Sequence, residues 1–253
     1  MPVLRLDRML SGQGIGSRRE IKTMLSKGMV AVNGRRAVSP AIKIDTAKDS
    51  VSVDGKAVRY REHVYIMMNK PSGVISASDD PHKETVVDLL PQGLMRPGLF
   101  PAGRLDRDTE GFVLITDDGT FAHDILSPKK HVEKEYFAVI DGPLGPDEIE
   151  RFENGLVVDD GLVCLPARLQ VLEGETNGAL TDSGSGVESG FRVEVTIHEG
   201  KYHQIKRMFT ALGREVLYLK RTAMGGLRLD GTLAPGEARE LSDDEVALIS
   251  GQG

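Results

Sequence analysis

The chain has no tryptophan, a single cysteine and an aromatic content of 5% in 253 residues. With Cys164 alone, an internal disulfide is impossible and a zinc site built on several thiolates is excluded. A buried, inert thiol in a reducing compartment is the expectation. Long apolar runs are also missing, so no window approaches membrane-spanning length. At the start of the chain, Arg5, Asp7 and Arg8 interrupt the stretch where a signal peptide needs an unbroken apolar core. The expectation is a cytoplasmic protein with no membrane partner. The chain contains no G-x-S-x-G, no Walker loop and no G-x-G-x-x-G, so neither a serine triad nor a cradle for a nucleotide cofactor is in view. The six histidines, His63, His82, His123, His131, His198 and His203, show no metal-ligand spacing.

What is present is the composition of a folded globular protein, 40% apolar and 28% charged. Its length allows one large domain and one small one, each with its own core. Charge divides the chain: residues 1–59 carry 12 Lys/Arg against 5 Asp/Glu, a balance of +7, and subtraction from the total of -6 leaves -13 for the rest. A basic module joined to an acidic body is how a polyanion-binding arm on a more selective domain would look, because phosphate contacts supply affinity without sequence information. The alternative is a solvated charged face.

The pattern inside the basic module favours the arm. Leu6, Met9 and Leu10 suggest a short helix. Ser17 and Glu20 form a capping box, and Ile21, Met24 and Leu25 recur at helical spacing until Gly28. Arg18, Arg19 and Lys22 fall in the first turns of that helix, with Arg18 and Lys22 on one face. Asn33-Gly34 and Asp54-Gly55 each predict a hairpin with a type I′ turn. The pieces RLDRML, SRREIKTMLSKGMVAVNG and DSVSVDG make this stretch resemble the S4 domain, an RNA-binding module of mixed α/β structure. The resemblance implies RNA contacts from Arg5, Arg18, Arg19, Lys22 and Lys27.

The charged stretch at 58–63 reads as a linker, which divides the chain into 1–59 and 60–253. In the body, VYIMMNKPSGVISAS predicts a strand, a Lys-Pro-Ser-Gly turn and a second strand. GFVLITDDG is a strand ending in a turn, residues 119–126 a short helix, and KEYFAVIDG another strand. GPDEIERFENG reads as a helix between Pro146 and Gly155, and FRVEVTIHEG alternates as a half-buried strand should. YHQIKRMFTALG presents Ile205, Met208, Phe209 and Leu212 to a core, and a last helix is expected near Asp243–Ile249. Strands outnumber helices without alternating with them, which predicts an α+β fold on a mixed, mainly antiparallel sheet. The glycine- and serine-rich segment 173–190 reads as a surface loop.

Asp117 and Asp118 offer adjacent carboxylates that could hold magnesium, but neighbours at a strand end point opposite ways, so a turn is the better reading and no metal is expected. What remains is a carboxylate working beside basic groups. Taken together, NKPSGVISASDD, GRLDRDTEGFVLITDDG, SPKKHVEKEY and EGKYHQIKRMF resemble the small-subunit branch of the ribosomal RNA pseudouridine synthases, and the likeness spans nearly the whole chain. Enzymes of this kind isomerise uridine in RNA without a cofactor. The resemblance implies that Asp106 of GRLD is the catalytic carboxylate, while Asp108, Glu110, Asp117 and Asp118 are structural. It places Lys206 as the cation beside Asp106, Tyr136 against the target base, and Arg104 near the flipped-out nucleotide. Whether Asp106 attacks the sugar, attacks the ring or removes a sugar proton is left open. Lys129, Lys130, Lys201, Lys206, Arg207, Lys220 and Arg221 are expected to line one basic cleft that offsets the acidic body. Ribosomal RNA, 16S before 23S, is the implied partner of a monomer, and a non-catalytic S4-type assembly factor is the alternative of a different class.

Overall fold

The computed structural model describes residues 3–127, 130, 132–159, 161–175 and 190–251. Two compact units result, one formed by Met1–Val64 with Pro91–Leu99, the other by Tyr65–Leu90 with Phe100–Gly253.

The first unit runs β1 (Val3–Arg5), α1 (Leu6–Gly12), α2 (Arg18–Ser26), β2 (Val30–Val32), β3 (Arg35–Arg36), β4 (Lys43–Asp45), β5 (Val51–Val53) and β6 (Lys56–Val58), with a turn of 3₁₀ helix at Gln92–Leu94. Its sheet has the order β3-β2-β5-β6, all antiparallel, and β1 pairs separately with β4. Ser17 caps α2 reciprocally with Glu20, as the capping box required. Both hairpins turn through left-handed pairs, Asn33 and Gly34 at φ 49° and 74°, Asp54 and Gly55 at 50° and 76°. Leu6, Met9, Leu10, Ile21, Leu25 and Val30 close the core beneath the helices. That leaves Arg18, Arg19, Lys22 and Lys27 exposed along α2.

The second unit runs β7 (Tyr65–Lys70), β8 (Phe100–Pro101), β9 (Glu110–Thr116), α3 (Gly119–Leu126), β10 (Lys134–Ile140), α4 (Pro146–Glu153), β11 (Arg168–Glu175), β12 (Phe191–Ile197), α5 (Gln204–Ala211), β13 (Val216–Met224), β14 (Leu227–Arg228), β15 (Ala238–Glu240) and α6 (Asp243–Ser250). Its sheet has the order β11-β12-β10-β13-β9-β7-β15, with β14 on β13 and β8 on β9. Every pairing is antiparallel except β13 with β9. The expected mixed, mainly antiparallel α+β architecture is therefore present.

That parallel junction is tight. A Cβ on Gly111, at φ 95°, would lie 2.2 Å from the carbonyl oxygen of Arg221, so only glycine lets β9 and β13 meet there. Cys164 is buried, as its solitary state suggested. The inward set of α5 is as its spacing required, with Ile205, Met208, Phe209 and Leu212 all buried.

One expected element is not a strand. After the Lys-Pro-Ser-Gly turn, residues 74–78 form a single bridge, Ile75 to Thr85, because the backbone turns directly after it, with Ala77 N donating back to Ile75 O at 3.1 Å. Segment 176–189, most of the expected surface loop, lies outside the described residues, whereas 173–175 belong to β11.

Candidate active site

Asp106 sits in the turn that leads into β9, and that turn is stitched to the Lys-Pro-Ser-Gly segment on both sides of the carboxylate. Upstream, Ser76 donates to the carbonyl of Leu105 at 3.1 Å and accepts from its amide at 3.0 Å. Downstream, the amide of Gly73 donates to Arg107 O at 2.8 Å and Arg107 Nε donates back to Gly73 O at 2.9 Å. Beneath them lies Lys70, fully buried, whose ammonium donates to the carbonyls of Pro71, Arg107 and Thr109 at 3.0, 3.1 and 2.8 Å. Burial pushes Lys70 down from 10.5 to about 8, against the pull of Asp108, Glu110 and Asp106.

A consequence can be measured. Lys70→Met takes a donor from three carbonyls, of which Arg107 O keeps the Gly73 amide, and is expected to lower stability by about 2–4 kcal/mol in urea unfolding, since each buried acceptor left unpaired carries a desolvation penalty. Between about pH 8 and 10.5 the unfolded chain holds the Lys70 proton that the folded chain has released, so this group makes wild-type stability rise with pH through that window. The variant should lose that share of the slope.

The side chain of Asp106 points into a half-open pocket enclosing about 410 Å³ of empty space, its mouth included. Lys206, on the first turn of α5, places its Nζ 3.4 Å from Asp106 Oδ2. The other oxygen, Oδ1, lies 3.4 Å from Nε2 of His203. His203 caps α5 in the left-handed region, at φ 49° and ψ 33°, a conformation that histidine adopts more readily than most residues. Its ring stacks on Tyr202 with centroids 3.8 Å apart. Tyr136, 7% exposed, lines the pocket with Ile197 and Leu219, and the exposed Arg104 lines it too. Asp106, Lys206, Tyr136 and Arg104 thus share one pocket.

Lys206 is not reserved for Asp106. It lies 2.5 Å from Oδ1 of Asp108, closer than to the pocket carboxylate. Burial opposes ionisation of Asp108, but the hydrogen bond and charge of Lys206 outweigh it and hold the carboxyl below the ordinary aspartate value. Asp108 thus shares the cation of the pocket carboxylate without lining the pocket itself. Glu110 and Asp118 do serve structure: Glu110 is buried and accepts from Tyr218 Oη at 2.8 Å, and Asp118 caps α3 through Thr120 and Phe121 while accepting from Tyr65 Oη at 2.7 Å. Among the described residues, no group of three or more His, Cys, Asp or Glu gathers to hold a metal.

The expected basic cleft needs correcting. Arg221 is 2% exposed, because strand alternation turns it to the buried face with Leu219. Arg207 does not line the pocket, and Asp159 holds its guanidinium at 2.6 Å. Lys201 does line it, tied to Glu199 at 2.9 Å. Lys220 is half-buried on β13 outside the pocket wall, Lys130 is exposed, and Lys129 lies outside the described residues. In the first unit Arg5 already pairs with Asp7 at 2.9 Å, a bond a phosphate would have to displace.

His203 and Lys70 were not singled out as site residues by the sequence reading, which took Asp108 as structural. A sequence signal existed for the first, since His203 precedes Lys206 by one helical turn.

Comparison with known proteins fits this arrangement. Residues 4–51 match the S4 domain, and residues 64–211 match the RNA pseudouridylate synthase family. An RNA-binding module joined to an RNA-modifying domain defines the class of enzyme. The chain belongs to the RNA pseudouridine synthase family. It is 45% identical to the uncharacterized RNA pseudouridine synthase YtzG of Bacillus subtilis (strain 168), over 98% of each chain. With the ribosomal small subunit pseudouridine synthase A of Yersinia pestis it shares 37% identity over 97% of this chain and 98% of the relative. The ribosomal large subunit pseudouridine synthase B of Bacillus subtilis (strain 168) is 35% identical over 97% and 95%. Among solved structures, a pseudouridylate synthase superposes with a TM-score of 0.63 at 31% identity, covering 97% of this chain and 99% of the other.

Proposed function

We propose that this enzyme isomerises a uridine of ribosomal RNA, the 16S RNA of the small subunit first, with Asp106 as the reacting carboxylate. The observation that carries the reading is Asp106 itself, one oxygen facing Lys206 and the other His203, in a pocket walled by Tyr136. Converting uridine to pseudouridine detaches the base at N1, turns it and rejoins it through C5. An ionised carboxylate beside the sugar and ring serves this by attack at C1′, by attack at C6 or by removal of the C2′ proton. Tyr136 offers an aromatic face for the everted base and a hydroxyl near C5, and the exposed Arg104 fills or props the gap left in the RNA stack. No step requires a cofactor.

Affinity comes from elsewhere. The exposed cations of α2 hold phosphate without reading sequence, and tethering raises the effective concentration of RNA at the pocket. Lys130, Lys201 and Lys220 add contacts on the body. We read the protein as a monomer working in the cytoplasm.

The 16S assignment rests on EGKYHQIKRMF and on relatives named for the small subunit, while a relative named for the large subunit supports a 23S target as the second reading. Incubation of the purified enzyme with 16S and 23S transcripts and with immature small-subunit particles, followed by mapping of pseudouridine, separates the two. Product in 16S RNA alone is expected. Product confined to 23S RNA overturns the target, and a wild-type enzyme that binds RNA without making product would mark a non-catalytic assembly factor.

A further inference from the structure

Two buried cations have no part in the chemistry above. Lys134 is 5% exposed and Arg221 2%. Tyr136 and Arg221 are direct register partners on β10 and β13, and Lys134 lies opposite Ile197 on β12, two residues before Tyr136. Residues two apart on a strand, and residues opposite each other, share a sheet face. Tyr136, Leu219 and Ile197 line the pocket, so Lys134 and Arg221 occupy the next places on the same face.

Neither is neutralised. Arg221 Nε donates to Phe112 O at 2.7 Å, but its Nη2 is buried with no hydrogen-bond partner. Lys134 Nζ donates to Val132 O at 3.0 Å. Among the described residues no carboxylate stands within ion-pair distance of either. Burial, and then the charge of Arg221, bring Lys134 down to about 8. Lys70 presents a contrast, since its ammonium is met by three carbonyls. Burying a charge without a counter-charge opposes folding, and apolar side chains of similar size would serve packing better. A feature that works against stability beside a reactive pocket calls for a task there.

We infer that Lys134 and Arg221 act through space, touching no substrate, to stabilise the negative charge that the uracil ring acquires during the reaction. The inference rests on the pseudouridine reading. All three routes open to Asp106 put that charge on the base. Attack on C1′ forms the C1′–O bond, breaks C1′–N1 and leaves the electron pair on N1. Removal of the C2′ proton forms the C1′–C2′ double bond and expels the base with the same pair. Addition at C6 sends the C5–C6 π pair to O4. Joining C5 to C1′ neutralises the base and frees the carboxylate, as its C1′–O or C6–O bond breaks or its proton returns to C2′; C5 then loses its proton while N1 gains one from solvent. A fixed cationic field in a site of low dielectric favours each of these anions over the neutral ground state.

The test compares Lys134→Met, Arg221→Met and Lys134→Arg with the wild type and Asp106→Asn, measuring kcat, KM and Tm on a ribosomal RNA that the wild type modifies. Each Met variant is expected to keep or raise Tm, to hold KM within about twofold, and to lose about tenfold in kcat, the change that one decade of transition-state stabilisation represents. Lys134→Arg should stay within about threefold of wild type, because the charge survives. Full kcat in folded Met variants overturns the inference. So does a collapse of Tm in both Met variants, which would make the cations structural. A wild type inactive on every ribosomal RNA sinks the pseudouridine reading itself, a failure distinct from an active wild type with indifferent Met variants.

Discussion

Asp106→Asn is expected to bind RNA within about threefold of wild type and to lower kcat/KM by about 10⁴-fold or more, the scale seen when a reacting group is removed and only binding remains. The substitution keeps the shape of the side chain and one carbonyl oxygen. What it removes is the negative charge that either bonds to the substrate or takes its proton. The loop should not shift, because it is held by backbone and side-chain contacts from Ser76, Gly73 and Lys70, none of which touches the carboxylate. Circular dichroism should therefore be unchanged, and filter binding alongside pseudouridine detection checks the prediction. Retained product formation would remove Asp106 from the mechanism and leave the pocket without a reacting group.

Lys206→Met should be the next most damaging change, with a loss of about 10²–10³-fold in kcat, comparable to deleting a preorganised electrostatic partner from other active sites. Its ammonium is shared by Asp106 and Asp108, so the variant leaves two carboxylates on one short turn with their common cation gone. Their repulsion would add to that of incoming RNA phosphates, and KM should rise as well. Lys206→Arg should recover most of the loss, since a guanidinium can serve both acids, though in a more rigid geometry. Steady-state kinetics of the two variants on the same transcript, with the double variant Lys206→Met/Asp108→Asn, separates loss of the pair from loss of charge balance. Partial recovery in the double variant is expected.

Much of the fold was legible because its signals are local. Ser17 with Glu20, Asn33 with Gly34 and the apolar spacing from Ile205 to Leu212 each state a helix start, a turn or a buried face within a few residues. Arg221 shows where local reading failed: LKRT looks like a basic surface, yet alternation from Leu219, which shares the face of Tyr136, turns its arginine inward. The same period-2 rule, applied strictly, would have said so. His203 was hidden for another reason, since its left-handed backbone follows from how α5 begins and not from composition. Lys70 closes its loop through carbonyls, which carry no residue identity and leave no trace in a sequence. The strand expected at 74–78 is cut short by a local turn, in which Ala77 N bonds back to Ile75 O.

The parallel seam between β9 and β13, where Gly111 meets Arg221, joins segments made more than a hundred residues apart. Contacts of such separation form late, whereas the short helices and hairpins of the N-terminal unit need only near neighbours. During synthesis the RNA-gripping end can thus be in place while the strand that completes the pocket is still being translated. A nascent chain can hold its target before it is able to alter it.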